Sequence, residues 1–181
     1  WLGENAGGYE LVRKAVQAVN KAWTQRGPQT TLTAAFIDRV GAESPADLIE
    51  GLSQQRYQLR AAAAPLVFAA AAAGDNVALD LVRWAGAELG DLAVGIIRQL
   101  HLFDHPFDIV LAGSFYKGSA LIQQELEKVV LLSAPQARFV RLHAPPVIGG
   151  VLLGMKVAGL AQPVHAAARV RLQRMPDTRT R

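Results

Sequence analysis

The sequence predicts a helix-rich α/β domain. Three observations lead there. Of the 181 residues, 51% are hydrophobic, enough for a sizeable core. Apolar residues recur at helical spacing from Tyr9 to about Leu100, with capping signals between the runs. Beyond residue 100 two short runs, 107–114 and 137–143, read as strands and alternate with helical runs. That is the order of a parallel crossover with helices covering the sheet.

Each element has its own reason. Leu11, Ala15, Val19 and Ala22 predict a first helix from about Tyr9, stopped by Gly27-Pro28. A second is expected over 31–40, closed by Gly41. In "ESPADLIEGL" Ser44 caps a third, Pro45 takes the first helical position, and Asp47 lies three residues past the cap. A fourth covers about 58–73, with Gly74 as a left-handed closing residue. Asp75-Asn76 offers the next cap. Leu79, Val82, Gly86, Leu89, Ala93, Ile96 and Leu100 then step by three or four, predicting a helix of about six turns with one apolar stripe. Gly86 on that stripe predicts close approach of a partner, expected to be a sheet.

"FDIVLAGS" reads as a buried strand, and "SALIQQELEKVVLL" as an amphipathic helix. "ARFVRLH" alternates like a second strand. "PPVIGGVLLGMKVAG" reads as a helix with small residues at Gly150 and Gly154, and fraying is expected from Pro163 on. Two strands make a poor sheet, because each leaves unpaired edges. Further strands are expected upstream of Trp1 or in another subunit. A chain that starts on Trp1 rather than Met reads as a fragment.

The formal charge of +4 does not indicate nucleic acid. Residues 169–181 carry five arginines against Asp177, the whole net charge, so the body is neutral and only the tail is basic. The absence of cysteine excludes disulfides, iron–sulfur ligation and a thiol nucleophile within this chain, and accords with a cytoplasmic setting. The uncharged run 61–73 is too short for a bilayer and contains Pro65, so no membrane is expected.

Ligands of open parallel sheets settle at the carboxyl ends of the strands. Ala112-Gly113-Ser114 occupies that place after the first strand. Gly113 lets a ligand approach the backbone, the amides of the following helix can face an anion or a purine edge, and Lys117 adds positive charge. The competing reading is a plain strand-to-helix corner. His101, His105, His143 and His165 sit in separate segments with no metal-ligand spacing, so no metal site is expected. Ser114 and Ser119 lack a nucleophile-elbow context, and no catalytic residue is assigned. Trp23 and Trp84 are expected in the core. Glu88 and Asp91 are expected on a solvated face. In the first loop, Glu4 or Asn5 can accept hydrogen bonds from substrate hydroxyls, or the loop is a loose chain end.

Three segments in series carry a resemblance: "LGENAGGYELVRKA", "DIVLAGSFYKGSALI" and "APPVIGGVLLGMKVAG". They resemble, in order, a G-D-E-G-S-x-Y-W-I segment, a second nucleotide segment and a closing helix. These belong to the C-terminal half of the BadF/BadG/BcrA/BcrD-type ATPase and N-acetylglucosamine kinase family, within the actin and sugar-kinase superfamily. The resemblance runs to about Leu160. It implies an incomplete ribonuclease-H-like (actin-like ATPase) lobe with few strands and an added helical subdomain. It also implies ATP or ADP with Mg²⁺ as cofactors, held in the cleft between two lobes. The first phosphate loop and the catalytic aspartate would belong to an N-terminal lobe that this chain lacks, which accounts for the two-strand puzzle. Gly113, Ser114 and Phe115 would contact the adenosine, with Tyr116 and Lys117 nearby. Glu4 matches the aspartate that reaches the sugar hydroxyls. Here Glu replaces Asp, Asn5 replaces Glu and Ala6 replaces Gly, which puts amino-sugar specificity in question.

The resulting expectation is a nucleotide-binding lobe of an ATP-dependent sugar kinase or related ATPase, inactive by itself. Its partners are a nucleotide, a sugar or other small phosphate acceptor, and the missing N-terminal lobe, and a homodimer is allowed. Residues 1–74 form a Gly-rich loop and helical subdomain, 75–162 the nucleotide-binding part, and 163–181 a basic tail. Two alternatives stand beside it. One is a non-catalytic lobe that binds a partner or itself. The other is an ATPase activator of an acyl-CoA reductase or dehydratase, which the lack of cysteine disfavours.

Overall fold

The structure is a computed structural model that describes residues 5–141, 147–160, 168 and 170. Its described residues are helix-rich with a small two-stranded parallel sheet. The helices are α1 (Gly8–Trp23), α2 (Leu32–Val40), α3 (Pro45–Ser53), α4 (Ala64–Ala72), α5 (Asn76–Gln99), α6 (Ala120–Leu131) and α7 (Val147–Val157). The strands are β1 (Phe107–Leu111) and β2 (Ala137–Arg141). Two 3-10 turns, 61–63 and 115–117, precede α4 and α6.

Two compact units divide the chain. The first holds the residues up to Asp108 together with Gly113–Arg138. Its core joins Leu11 and Val19 of α1, Phe36 of α2, Leu48 of α3, Val67 of α4 and Ile122 of α6, all fully buried. The second holds Ile109–Ala112 and the described residues from Phe139 on. Ile148 is its buried residue on α7.

Local capping chemistry places several helix boundaries. The Ser44 hydroxyl accepts the Asp47 N–H at 3.1 Å, with Pro45 in the first turn. Gly41 and Gly74 close α2 and α4 at φ +71° and +89°. Asp75 opens α5 by accepting the Ala78 N–H at 2.9 Å. Its other oxygen accepts from the hydroxyls of Thr30 and Thr31 and from the Thr31 N–H, at 2.6–2.8 Å. One carboxylate therefore starts α5 and ties down the entry to α2. Burial pushes the Asp75 carboxyl up, but these hydrogen bonds outweigh it and hold it below the ordinary carboxylate value.

Several expectations need correction. α1 ends before Gly27-Pro28, on Gln25 at φ +56°, and α3 ends the same way on Gln55 at φ +61°. In both, the following arginine donates from Nε to the side chain just before the glutamine: Arg26 to Thr24 and Arg56 to Gln54. Residues 58–60 are not helical, and the fourth helix begins only after the 61–63 turn. Gly86 packs against a helix, not a sheet. A Cβ there would lie 2.6 Å from the Ile122 carbonyl oxygen on α6. Gly90 takes Val129 in the same way, with a Cβ there 2.7 Å from the valine Cβ. The buried stripe of α5 therefore runs Ala78, Val82, Gly86, Gly90, Val94 and Ile97, whereas Ile96 and Leu100 are exposed. Trp23 is exposed rather than in the core. Trp84 is half-buried. Its Nε1–H donates to Glu88 at 2.9 Å, and the Lys14 ammonium sits 4.2 Å above its ring, so Glu88 is not simply solvated. β1 is not a buried strand either: Val110 is exposed, and Leu111 is its buried residue.

Among the described residues no single helix is long and apolar enough to cross a membrane. α4 with its leading turn reaches that length only jointly with α5, across a bend of 119°.

Candidate functional site

Gly113 follows β1 with a left-handed backbone, φ +101°, which a side chain rarely adopts. A Cβ built there meets no atom within 4 Å. The glycine is therefore required by its conformation and stands beside open space. Ser114 is exposed and opens the 115–117 turn, with no hydrogen bond from its side chain to the turn. Two backbone bonds of 3.0 Å hold the turn: the Lys117 N–H donates to Ser114 and the Gly118 N–H to Phe115.

Phe115 and Tyr116 are half-buried against the core of the first unit. The Phe115 ring meets Phe68 of α4 edge-on, with centroids 5.5 Å apart and planes at 63°. Burial pushes the Tyr116 hydroxyl above its ordinary pKa, so it stays a neutral donor throughout the physiological range. Lys117 is exposed. Gly113, Ser114, Phe115, Tyr116 and Lys117 thus form one continuous exposed-to-half-buried corner. Glu4 lies outside the described residues.

The helix expected from Ser119 on is found there. α6 begins at Ala120, where the Ser119 hydroxyl accepts the Leu121 N–H at 3.3 Å. The helix-start amides are therefore separated from Gly113 by the intervening turn. Gly118 closes that turn next to the Phe68 ring. A Cβ there would sit 2.7 Å from Cζ and closer still to Cδ2 and Cε2. Sequence reasoning missed both Phe68 and Gly118. The available signals were a lone aromatic in an alanine run and a second glycine five residues after the first.

Another cluster of shifted groups is structural. The Tyr57 hydroxyl and the Arg56 guanidinium donate to Asp47 at 2.8 and 3.0 Å, and Asp47 also accepts the Glu43 N–H. The Glu43 N–H, then Tyr57 and Arg56, hold the Asp47 carboxyl below its ordinary value, and the bond to Asp47 raises Tyr57. The Tyr57 ring covers Gly51, so the cluster locks the end of α3. Among the described residues no group of three or more histidine, cysteine or acidic side chains could hold a metal ion. His143 and His165 lie outside them.

Comparison with known proteins adds a direction. No family model matches the chain. The chain is 27% identical, over 85% of its length, to an N-acetyl-D-glucosamine kinase from Dictyostelium discoideum. It is 22% identical, over 84% of its length, to an N-acetylmuramic acid/N-acetylglucosamine kinase from Clostridium acetobutylicum. It spans about half the length of these curated relatives, 50% of each.

Proposed function

We propose that this chain is the nucleotide-binding C-terminal lobe of an ATP-dependent sugar kinase of the N-acetylglucosamine or glucosamine type, or of a related ATPase of the BadF/BadG/BcrA/BcrD group. One observation carries the reading. In a chain similar along most of its length to two amino-sugar kinases, the corner after β1 has a glycine with left-handed backbone and unfilled space beside its Cα. Such a corner admits a purine and ribose against bare backbone. Gly113, Ser114 and Phe115 would meet the adenosine, Tyr116 would offer a neutral hydroxyl, and Lys117 would add positive charge. Glu4 would hydrogen-bond the acceptor sugar.

Phosphoryl transfer in this reading rests on positioning and electrostatic stabilisation shared with an N-terminal lobe. Mg²⁺ would arrive on the nucleotide phosphates, which need only one or two carboxylates in addition. The chain by itself therefore binds nucleotide without turnover, in the cytoplasm where ATP is available. Residues 75–162 form the nucleotide-binding part, 1–74 support it, and 163–181 are a basic tail.

Titration calorimetry with ADP tests the reading. ADP should bind, and Gly113→Val should weaken binding at least tenfold, because it fills the space beside Cα and opposes a left-handed backbone. Absence of ADP binding by the folded chain overturns the reading. A coupled assay in which the isolated chain phosphorylates N-acetylglucosamine or glucosamine overturns the claim that it is inactive alone.

A second reading is favoured by the apolar residues exposed on β1, β2 and α7, among them Val110, Val140 and Leu153. It takes the chain as a non-catalytic lobe that pairs with a partner or itself. A persistent dimer by light scattering, without ADP binding, favours this reading.

A further inference from the structure

We infer that Phe68 of α4 is a positioning residue for the Phe115–Lys117 turn, and through that turn for nucleotide affinity; the second part rests on the nucleotide reading above. α4, "APLVFAAAA", carries Phe68 as its one aromatic side chain. That ring engages both ends of the turn. It stands edge-on to Phe115, the first residue of the turn, and it occupies the space a Cβ would need on Gly118, the residue that closes it.

The turn needs this grip. A single 3-10 turn has poor hydrogen-bond geometry and a costly nucleus, so three residues do not hold it alone. It has two backbone hydrogen bonds and no side-chain cap. Upstream, a side chain at Gly113 would meet nothing within 4 Å. Downstream, Ser119 starts α6, whose position is set by its own packing on α5. Between these points Phe115 and Tyr116 pack on the core of the first unit, and the Phe68 ring of α4 meets both Phe115 and the space beside Gly118. Gly118 is glycine because any larger residue would collide with that ring. A turn already held in place binds a ligand without the cost of ordering it.

Two readouts separate this role from simple core filling. One is the backbone order of residues 115–118, from nitrogen-15 relaxation. The other is ADP affinity by calorimetry. Four chains form a cycle: wild type, Phe68→Ala, Gly118→Ala and the double variant. Phe68→Ala should make the turn flexible while α5 keeps its order, and should weaken ADP roughly tenfold, the scale of one aromatic contact with its covered area. Phe68→Leu should recover part of both losses. Gly118→Ala should disturb the turn alone but cost less in the Phe68→Ala background, because the colliding ring is gone. If Phe68→Ala fails to fold, the Phe68→Leu chain takes its place in the cycle.

Unchanged order at the turn in the Phe68 variants, or strictly additive effects, overturns the inference. If wild type binds no ADP, the nucleotide reading falls, and the order measurements still decide whether Phe68 positions the turn.

Discussion

The α5–α6 seam and the β1–β2–α7 region both carry many apolar residues and end in opposite states. At the seam Val82, Val94, Ile122, Leu126 and Val130 are buried, and glycines at 86 and 90 let the two helices approach to backbone contact. In the second region Val110, Val140, Leu153 and Val157 remain exposed, the last at 82%. There Gly149, Gly150 and Gly154 face open space rather than a neighbour. Apolar residues state a demand for burial. A partner shaped to receive them decides whether the demand is met. The same residue types, glycine above all, therefore carry opposite consequences in the two regions.

Truncation breaks the contrast most sharply. Ile122→Ala at the seam should cost about 3 kcal/mol, the usual loss for a fully buried aliphatic side chain, read as a drop in melting temperature or denaturant midpoint. A loss below about 1 kcal/mol would mean the seam is loosely packed.

Next in size is the hub that joins α5 to the entry of α2. Asp75→Ala should cost about 2 kcal/mol, because it removes a helix cap and leaves Thr30 and Thr31 without their acceptor. The folded carboxyl is held below its unfolded value. Its contribution is therefore present above the unfolded pKa and lost as pH falls through the folded one. The variant should accordingly lose less stability on acidification than wild type. Parallel acid limbs for the two proteins would refute the assignment.

A smaller effect sharpens the comparison within one helix. Gly86→Ala should destabilise by about 1–2 kcal/mol, since the new Cβ meets the Ile122 carbonyl and the seam must open. Gly95→Ala, where nothing lies within 4 Å, should stabilise by about 0.5–1 kcal/mol through helix propensity. Stabilisation at both sites would show that propensity, not packing, rules α5. Smallest of all, Val157→Ser on α7 should shift stability by no more than about 0.5 kcal/mol. A larger loss would mean that a partner covers α7 in solution.

Much of the helical framework was legible in the residues, for a local reason. Ser44-Pro45, Gly41, Gly74 and the Asp75 cap on Ala78 act within a few residues of themselves, and each stands where expected. The non-glycine terminators Gln25, Gln55 and His101 were not legible, because a left-handed conformation is uncommon at such residues and nothing in their side chains signals it. The stripe of α5 was read by hydrophobicity and came out rotated, since the partner helix follows the glycines. At the candidate corner, Gly113 announced itself through its place after a strand. The turn at 115–117 did not, because Phe68 comes from more than forty residues upstream.

By itself the sequence determined the helix-rich α/β class, the capped boundaries, two short strands and a glycine at the end of the first. These depend on interactions that span one helical turn or one strand. Only the tertiary structure decided which face of α5 is buried, that Gly86 meets a helix, and that an aromatic ring from α4 meets the turn beside Gly113. Those outcomes depend on the shape of a partner distant in the chain, and no local pattern encodes that shape.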